Sequence, residues 1–335
     1  MVHGNIGFQD EEAMVAQVAT EVLSDKILEL IIFPTEKCNF RCVYCYEDFK
    51  IGRMPPSLVD GIKKLIDNRV EGLDVLKIAW FGGEPLLAKE VMLDICAHAS
   101  AAAAATGCLF TSAATTNGYL LDIALAKQLA EVGLWEYQIT LDGPPEDHDR
   151  TRIMANGEKT YDTIFGNLLA LRESALDISV ILRLHYGPHN IGRYEKFLDY
   201  IIDEFGSDKR FSVDLQAVQN WGGPRKDEIV VFGPNERRRL LARFQQHINQ
   251  GIARPHDGPG TTICYAAKAN SFVIRANGTI GKCTVALADE RNAIGTLNDD
   301  GTVQISMAKL APWIDGVKKM DMAALSCPFG AMNAH

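Results

Sequence analysis

No apolar run in this chain approaches the ~18 residues that cross a bilayer. The longest bland stretch, residues 99–105, is interrupted by Ser100 and reads as the end of a helix. Met1-Val2-His3-Gly4-Asn5 has neither the basic stretch nor the apolar core of a secretory signal. Positive charge is scarce as well: 34 Lys and Arg face 43 Asp and Glu, a net charge of -9. That balance argues against nucleic acid or an anionic membrane surface as the main partner. These absences leave a cytoplasmic enzyme as the expectation. In such a chain eight cysteines mean metal, redox chemistry or buried thiols rather than disulfides. With 335 residues, 47% of them hydrophobic, there is material for a full core and, by length, for roughly two domains.

Strand patterns alternate with helix patterns along the first two thirds. Strands are expected at 27–33, 75–81, 109–116, 137–141, 178–185 and 211–218. Helices are expected near 56–70, 88–105, 120–132, 160–173 and 191–205, an order that argues for parallel βαβ units. Six such units are too few for a closed eight-stranded barrel. They make an α/β partial (β/α)6 TIM-like barrel, with function at the C-terminal ends of its strands. Strand alternation puts Thr115 with Asn117, Gln138 with Thr140 and Asp142, Arg183 with His185, and Asp214 with Gln216 on single faces. Helices cover the outer face of a parallel sheet and demand apolar residues there, so these polar faces should converge in a wet or ligand-filled lumen.

Also missing is a fourth cysteine beside Cys38, Cys42 and Cys45. Iron-sulfur clusters usually take four Cys ligands, so three thiolates on one short loop leave one iron open to a small molecule. The rival readings are a zinc site, usually built from paired Cys-x-x-Cys knuckles, and part of a disulfide framework, expected in small secreted chains. Just after the second strand stands Gly82-Gly83-Glu84-Pro85, where two glycines allow backbone carbonyls close to an ammonium and Glu84 supplies charge. Thr116-Asn117-Gly118 ends the third strand. Thr140-Leu141-Asp142-Gly143-Pro144, with His148-Asp149 and Arg152 downstream, ends the fourth.

Over about residues 27–220 these motifs together resemble the radical SAM superfamily. The resemblance implies a [4Fe–4S] cluster on Cys38, Cys42 and Cys45, with S-adenosylmethionine at its open iron. It implies Gly82, Gly83, Glu84 and Pro85 around the methionine amino group. Asn117 belongs to the same cofactor-binding set. Thr140 and a downstream Arg then contact the methionine carboxylate; Arg152 fits that place, with Arg150 and Lys159 close by. Tyr44 falls near the adenine, chiefly through its backbone, or is simple packing. Residues 146–152 otherwise read as a solvated charge run, the reading preferred for His148. An electron from the reduced cluster, delivered by a flavodoxin- or ferredoxin-type donor, would yield a 5'-deoxyadenosyl radical that takes hydrogen from a substrate carbon. Asp142, Arg183 and Asp214 are candidates for positioning or proton removal.

Past residue 220 the composition shifts. Residues 1–26 form an N-terminal extension, 27–220 the barrel, 221–256 a linker and basic amphipathic helix, and 257–335 a small C-terminal domain. There Cys264, the Asn277-Gly278 turn, Cys283 and Cys327 resemble the start of a SPASM or twitch extension, which binds auxiliary iron-sulfur clusters. A full SPASM domain has seven cysteines, so at most one auxiliary [4Fe–4S] cluster fits, with Gly330 where a partner of Cys327 would stand. Its fourth ligand is a non-Cys group such as His335 or a substrate or exogenous thiol, unless the cluster has been lost; three merely buried thiols are the alternative. Cys96 and Cys108 match no motif and read as core residues.

The loop pattern after Leu141 is that of the peptide-modifying branch, so a ribosomally made peptide is the expected substrate. The 26 residues before the first strand suggest a separate leader-binding protein, or leader recognition by the barrel. A twitch-type sugar-alcohol dehydrogenase is the runner-up. Anaerobic sulfatase maturases carry an Asp base where this chain has Thr284, which disfavours that activity.

Overall fold

The computed structural model describes residues 6–249, 251–254 and 263–334. A helix, α1 (Ile6–Leu23), precedes the first strand, and six β-strand and helix units follow. The strands are β1 (Ile27–Ile32), β2 (Val75–Trp80), β3 (Leu109–Thr116), β4 (Leu134–Leu141), β5 (Ser179–Tyr186) and β6 (Phe211–Ala217). Between them run α2 (Pro56–Val70), α3 (Lys89–Thr106), α4 (Ile123–Glu131), α5 (Pro145–Thr151), α6 (Tyr161–Glu173) and α7 (Tyr194–Phe205), with α8 (Pro234–Ile248) after β6. Each strand of β1–β6 pairs in parallel with the next, the expected partial barrel. Local chemistry sets the boundaries. Pro56 opens α2 at its first position, where no N–H is needed. Asp122 caps α4 by accepting from Leu125 N–H at 2.8 Å.

Burial alternates along the strands as the period of two requires. On β5, Val180, Leu182, Leu184 and Tyr186 are buried, while Ser179, Ile181, Arg183 and His185 are only half-buried. The buried set packs against helices such as α6 and α7, forming the core with Ile164, Leu168, Leu198 and Ile201. The other set faces inward.

The C-terminal part does not stand apart from this sheet. Strand β7 (Ser271–Ile274) pairs in parallel with β1, and β8 (Thr279–Gly281), β9 (Gly295–Leu297) and β10 (Val303–Ile305) continue antiparallel, giving one ten-stranded sheet in the order β10-β9-β8-β7-β1-β2-β3-β4-β5-β6. Arg275, at the end of β7, grips Glu36 beside the first cysteine loop through two bonds, Nε–Oε1 at 3.0 Å and Nη2–Oε2 at 2.6 Å. Bidentate pairing of a buried carboxylate fixes orientation as well as charge, so the tail is registered against the loop. Among the described residues no helix is long and apolar enough to cross a membrane.

Candidate active site

The loop from Pro34 to Arg53 closes the C-terminal end of the sheet and carries Cys38, Cys42 and Cys45. Its base is clamped to the turn after β2. Gly82 has φ +118°, and a Cβ there would lie 2.4 Å from Thr35 O; at Gly83 it would lie 2.4 Å from Lys37 O. Only glycines let the two backbones lie this close. Glu84 N–H donates to Lys37 O at 3.0 Å, completing the clamp. The fully buried Glu84 carboxylate accepts from Thr116 Oγ1 and Asn117 N, each at 2.7 Å, and from Leu86 N at 3.0 Å, where it caps the turn begun by Pro85. Asn117 in turn donates to Asn39 Oδ1 at 2.8 Å, inside the cysteine loop.

Burial pushes the Cys38 and Cys42 thiols well above the ordinary value, and Cys45 up to about 12. The like charges of neighbouring thiols, and of Glu84 at Cys38, add to the rise. Buried thiols raised in this way become thiolates when a metal supplies positive charge. Three such thiols on one short loop can each serve a separate iron of one cluster. The donor set therefore fits a three-Cys cluster. Arg152 supplies a second fit: it is buried, and its Nε has no hydrogen-bond partner among the described residues. An unmet guanidinium N–H beside the loop suits an anionic group such as a carboxylate.

Arg152 is the cation that the structure turns inward. Its Nη1 donates to Tyr44 Oη at 2.8 Å. Burial opposes its charge, but Tyr44, Cys42 and Asp142 outweigh burial and hold its pKa above the ordinary value. Arg150 instead binds Asp147 from the surface, and Lys159 is exposed. Tyr44 is more than packing, for its hydroxyl also donates to Asp142 Oδ1 at 2.8 Å.

Residues 146–152 are not a solvated charge run. They belong largely to α5, whose Asp147, His148 and Thr151 are buried. His148 has no exposure: Nδ1 accepts from Asp142 N at 3.3 Å, and Nε2 meets Thr160 Oγ1 at 3.2 Å. Burial, with Arg152 nearby, lowers its pKa to about 4 and keeps it neutral. Asp147 pairs with Arg193 from the start of α7. A polar segment folds inward here because each buried charge or dipole finds a partner from a distant element.

A cavity of about 460 Å³ lies within the barrel. Thr115, Gln138, Arg183, His185 and Gln216 line it from four successive strands, which is part of the convergence expected from alternation; Asn117 and Thr140 are not among the lining residues. Asp214 supports that lining by accepting from Arg183 Nε at 3.0 Å and Gln216 Nε2 at 3.0 Å. Thr140 is buried on β4, in register with Arg183. Asp142 is not on the cavity wall: its carboxylate is buried and engaged by Tyr44, Thr151 Oγ1 at 2.7 Å and His185 Nδ1 at 3.2 Å. Burial alone would raise its pKa, but His185, Arg152 and His148 hold it well below the usual carboxylate range.

Sequence reading missed the wall opposite β4–β6. Tyr46, Tyr265, Thr284 and Trp221 complete the cavity, and Tyr265 Oη meets Thr284 Oγ1 at 2.8 Å. Tyr265 and Thr284 directly follow Cys264 and Cys283, a signal that the tail reaches the lumen. The tail cysteines are mutual neighbours: Cys283 and Cys327 both act on Cys264, which burial raises to about 11, and Cys327 acts on Cys283. Cys327 Sγ accepts Gly330 N–H at 3.3 Å, so Gly330 serves this thiol through its backbone. His335 lies outside the described residues. Cys96 is a core residue, bonded to Trp80 Nε1 at 3.3 Å, and Cys108 is buried.

An uncharacterized protein of Methanocaldococcus jannaschii is 27% identical over 302 residues, covering 85% of this chain and 94% of that protein. A GTP 3',8-cyclase of Campylobacter jejuni subsp. jejuni is 30% identical over 219 residues, 61% of this chain and 62% of that enzyme. Among solved structures, native anSMEcpe with bound AdoMet matches with TM-score 0.64 at 18% identity, over 85% of this chain and 80% of that one. Streptococcus suis SuiB bound to precursor peptide SuiA matches with TM-score 0.59 at 16% identity, over 100% of this chain and 74% of that one. At these identities the two structures show a shared fold. The model of the Radical SAM superfamily matches residues 32–201, from the end of β1 through the cysteine loop to α7; the chain is an enzyme that belongs to the radical SAM superfamily, with a [4Fe–4S] cluster and S-adenosylmethionine as its cofactors.

Proposed function

We propose that this enzyme modifies a side chain of a ribosomally made peptide. The observation that carries the reading is the polar cavity of about 460 Å³, walled by β3–β6 on one side and by the tail residues Tyr265 and Thr284 on the other. Its strand β6 is an edge of the sheet, and among the described residues only Ala253 bridges to its outer side. An edge of this kind offers N–H and C=O groups to an extended peptide, while the cavity takes one side chain. SuiB and anSMEcpe, which share the fold, were both solved with peptides.

When bound, the cluster and S-adenosylmethionine supply a 5'-deoxyadenosyl radical that removes a hydrogen atom from a substrate carbon. The residues of this chain would divide the remaining work. Cys38, Cys42 and Cys45 hold three irons. The Gly82–Pro85 turn receives the methionine amino group, with Asn117 bracing the loop through Asn39, and Thr140 and Arg152 receive the carboxylate. Arg183, held by Asp214, positions the substrate. Cys264, Cys283 and Cys327 would hold an auxiliary cluster that accepts an electron. A flavodoxin- or ferredoxin-type donor and a separate leader-binding protein belong to the same proposal.

Charge separates this reading from nucleotide cyclisation. Among the described lining residues Arg183 is the single Lys or Arg, and Asp214 already pairs with it. A triphosphate calls for several such groups. A small-alcohol dehydrogenase is the second reading, favoured by the Tyr265–Thr284 hydroxyl pair on the wall. Arg183→Ala should weaken peptide turnover more than uncoupled formation of 5'-deoxyadenosine. Equal loss of both would assign Arg183 to the cofactor. Robust turnover of a free sugar alcohol, with none of a precursor peptide encoded alongside, would select the second reading.

A further inference from the structure

His185 is the one imidazole among the described residues lining the cavity, and its protonation pattern follows from its neighbours. Tyr44 has a single hydroxyl proton, which goes to Asp142 Oδ1 at 2.8 Å because a carboxylate only accepts. Arg152 Nη1 donates to the same tyrosine oxygen at 2.8 Å. His185 Nδ1 stands 3.1 Å from Tyr44 Oη and 3.2 Å from Asp142 Oδ1. Facing two acceptors whose protons are already committed, Nδ1 must carry the hydrogen of the neutral ring. Nε2 is then the unprotonated nitrogen, and it has no partner among the described residues.

The ring is held firmly. Its edge-to-face contact with Tyr44 has centroids 5.2 Å apart, and Asn190 Nδ2 ties His185 O to Asp142 O, at 2.9 Å each. The side chain keeps 16% of its exposure while Asp142 keeps none, so the ring looks into the cavity and the carboxylate lies behind it. Burial lowers the pKa of His185, Asp142 raises it, and Arg183 and Arg152 lower it further. His148 and His189, from α5 and the loop after β5, also face it. The imidazole is thus neutral and free to accept at physiological pH. A carboxylate behind Nδ1 fixes the tautomer and stabilises the imidazolium once formed.

We propose that His185 is the proton acceptor of the lumen, taking through Nε2 the proton of a substrate O–H or N–H adjacent to the carbon that loses hydrogen. The X–H bond breaks, its electron pair stays on the substrate heteroatom, and the proton bonds to Nε2. Asp142 and Tyr44 are positioning residues for that ring. The inference rests on reading the lumen as the substrate site, and deepens it: the substrate position attacked carries an adjacent proton-bearing oxygen or nitrogen.

Two measurements on the cluster-loaded enzyme test it. In protein labelled with 15N-histidine, the resonance lost in His185→Gln should show the Nδ1–H tautomer at neutral pH. In Asp142→Asn its titration should move down by at least about one pH unit, as the anionic partner is lost. An Nε2-protonated His185 overturns the proposal whatever the substrate. In turnover, His185→Gln should lower the ratio of product to 5'-deoxyadenosine by about 100-fold or more, and should flatten the acid limb of the product pH profile. Loss of product and 5'-deoxyadenosine in equal measure would make His185 a cofactor contact and overturn it. Should the wild type oxidise a small alcohol and no peptide, the peptide reading falls, and the same ratio measured on that alcohol decides the role of His185.

Discussion

The carboxylate of Glu84 accepts the main-chain N–H of Asn117 at 2.7 Å, joining the turn after β2 to the end of β3. Both oxygens are engaged: Oε1 accepts from Thr116 Oγ1 and Leu86 N, and Oε2 from Asn117 N. Glu84 therefore acts on the site as a brace: it holds the glycine turn against residues 35–37, the approach to Cys38. Its charge still reaches Cys38 and raises that thiol, second to burial.

Glu84→Gln replaces one acceptor oxygen by an NH2 group facing donors. The cost should be about 1–3 kcal/mol, the range for a buried polar group left unmet, and thermal unfolding of the cluster-loaded protein should fall by several degrees. Unchanged unfolding would show that the brace is dispensable.

Removing Cys264, Cys283 and Cys327 together, each to Ala, should halve the bound iron, from about eight atoms to about four. The first cluster should persist. Unchanged iron and an unchanged Mössbauer spectrum would make the tail thiols structural.

Acid should loosen the closure around α5. His148 has its pKa lowered from 6.5 to about 4 in the folded chain, by burial first. Between these values the unfolded chain binds more protons, so stability rises with pH across the window and is lost as pH falls from 6.5 toward 4. The full effect is about 3 kcal/mol. The depressed Asp142 acts in the same sense at lower pH. Denaturant titrations at pH 7 and pH 5 should differ in midpoint, and His148→Asn should reduce the difference; an unaltered difference would locate the titrating group elsewhere.

The barrel strands and their inward faces were legible because alternation is local: Arg183 and His185 stand two apart, and each needs only its own strand to declare its side. The cysteine loop was legible from spacing. Three features were not. The pairing of Glu36 with Arg275 spans 239 positions, so neither residue signals it. In α5, Asp147 and His148 look like surface residues because sequence alone does not reveal partners such as Arg193 and Thr160, which make their burial affordable. The joining of β7 to β1 runs the barrel sheet into the tail expected as a separate domain from residue 257, since main-chain pairing leaves little trace in side chains. His185 was visible as a lumen residue, but its tautomer depends on Tyr44 and Asp142, which reach it from two other elements.

The most direct test is reductive cleavage of S-adenosylmethionine by the anaerobically reconstituted enzyme, with dithionite as reductant and 5'-deoxyadenosine as the readout. The wild type should form it, and the variant with Cys38, Cys42 and Cys45 all changed to Ala should form none above background. Wild-type levels of 5'-deoxyadenosine from the triple variant would contradict the account at its centre.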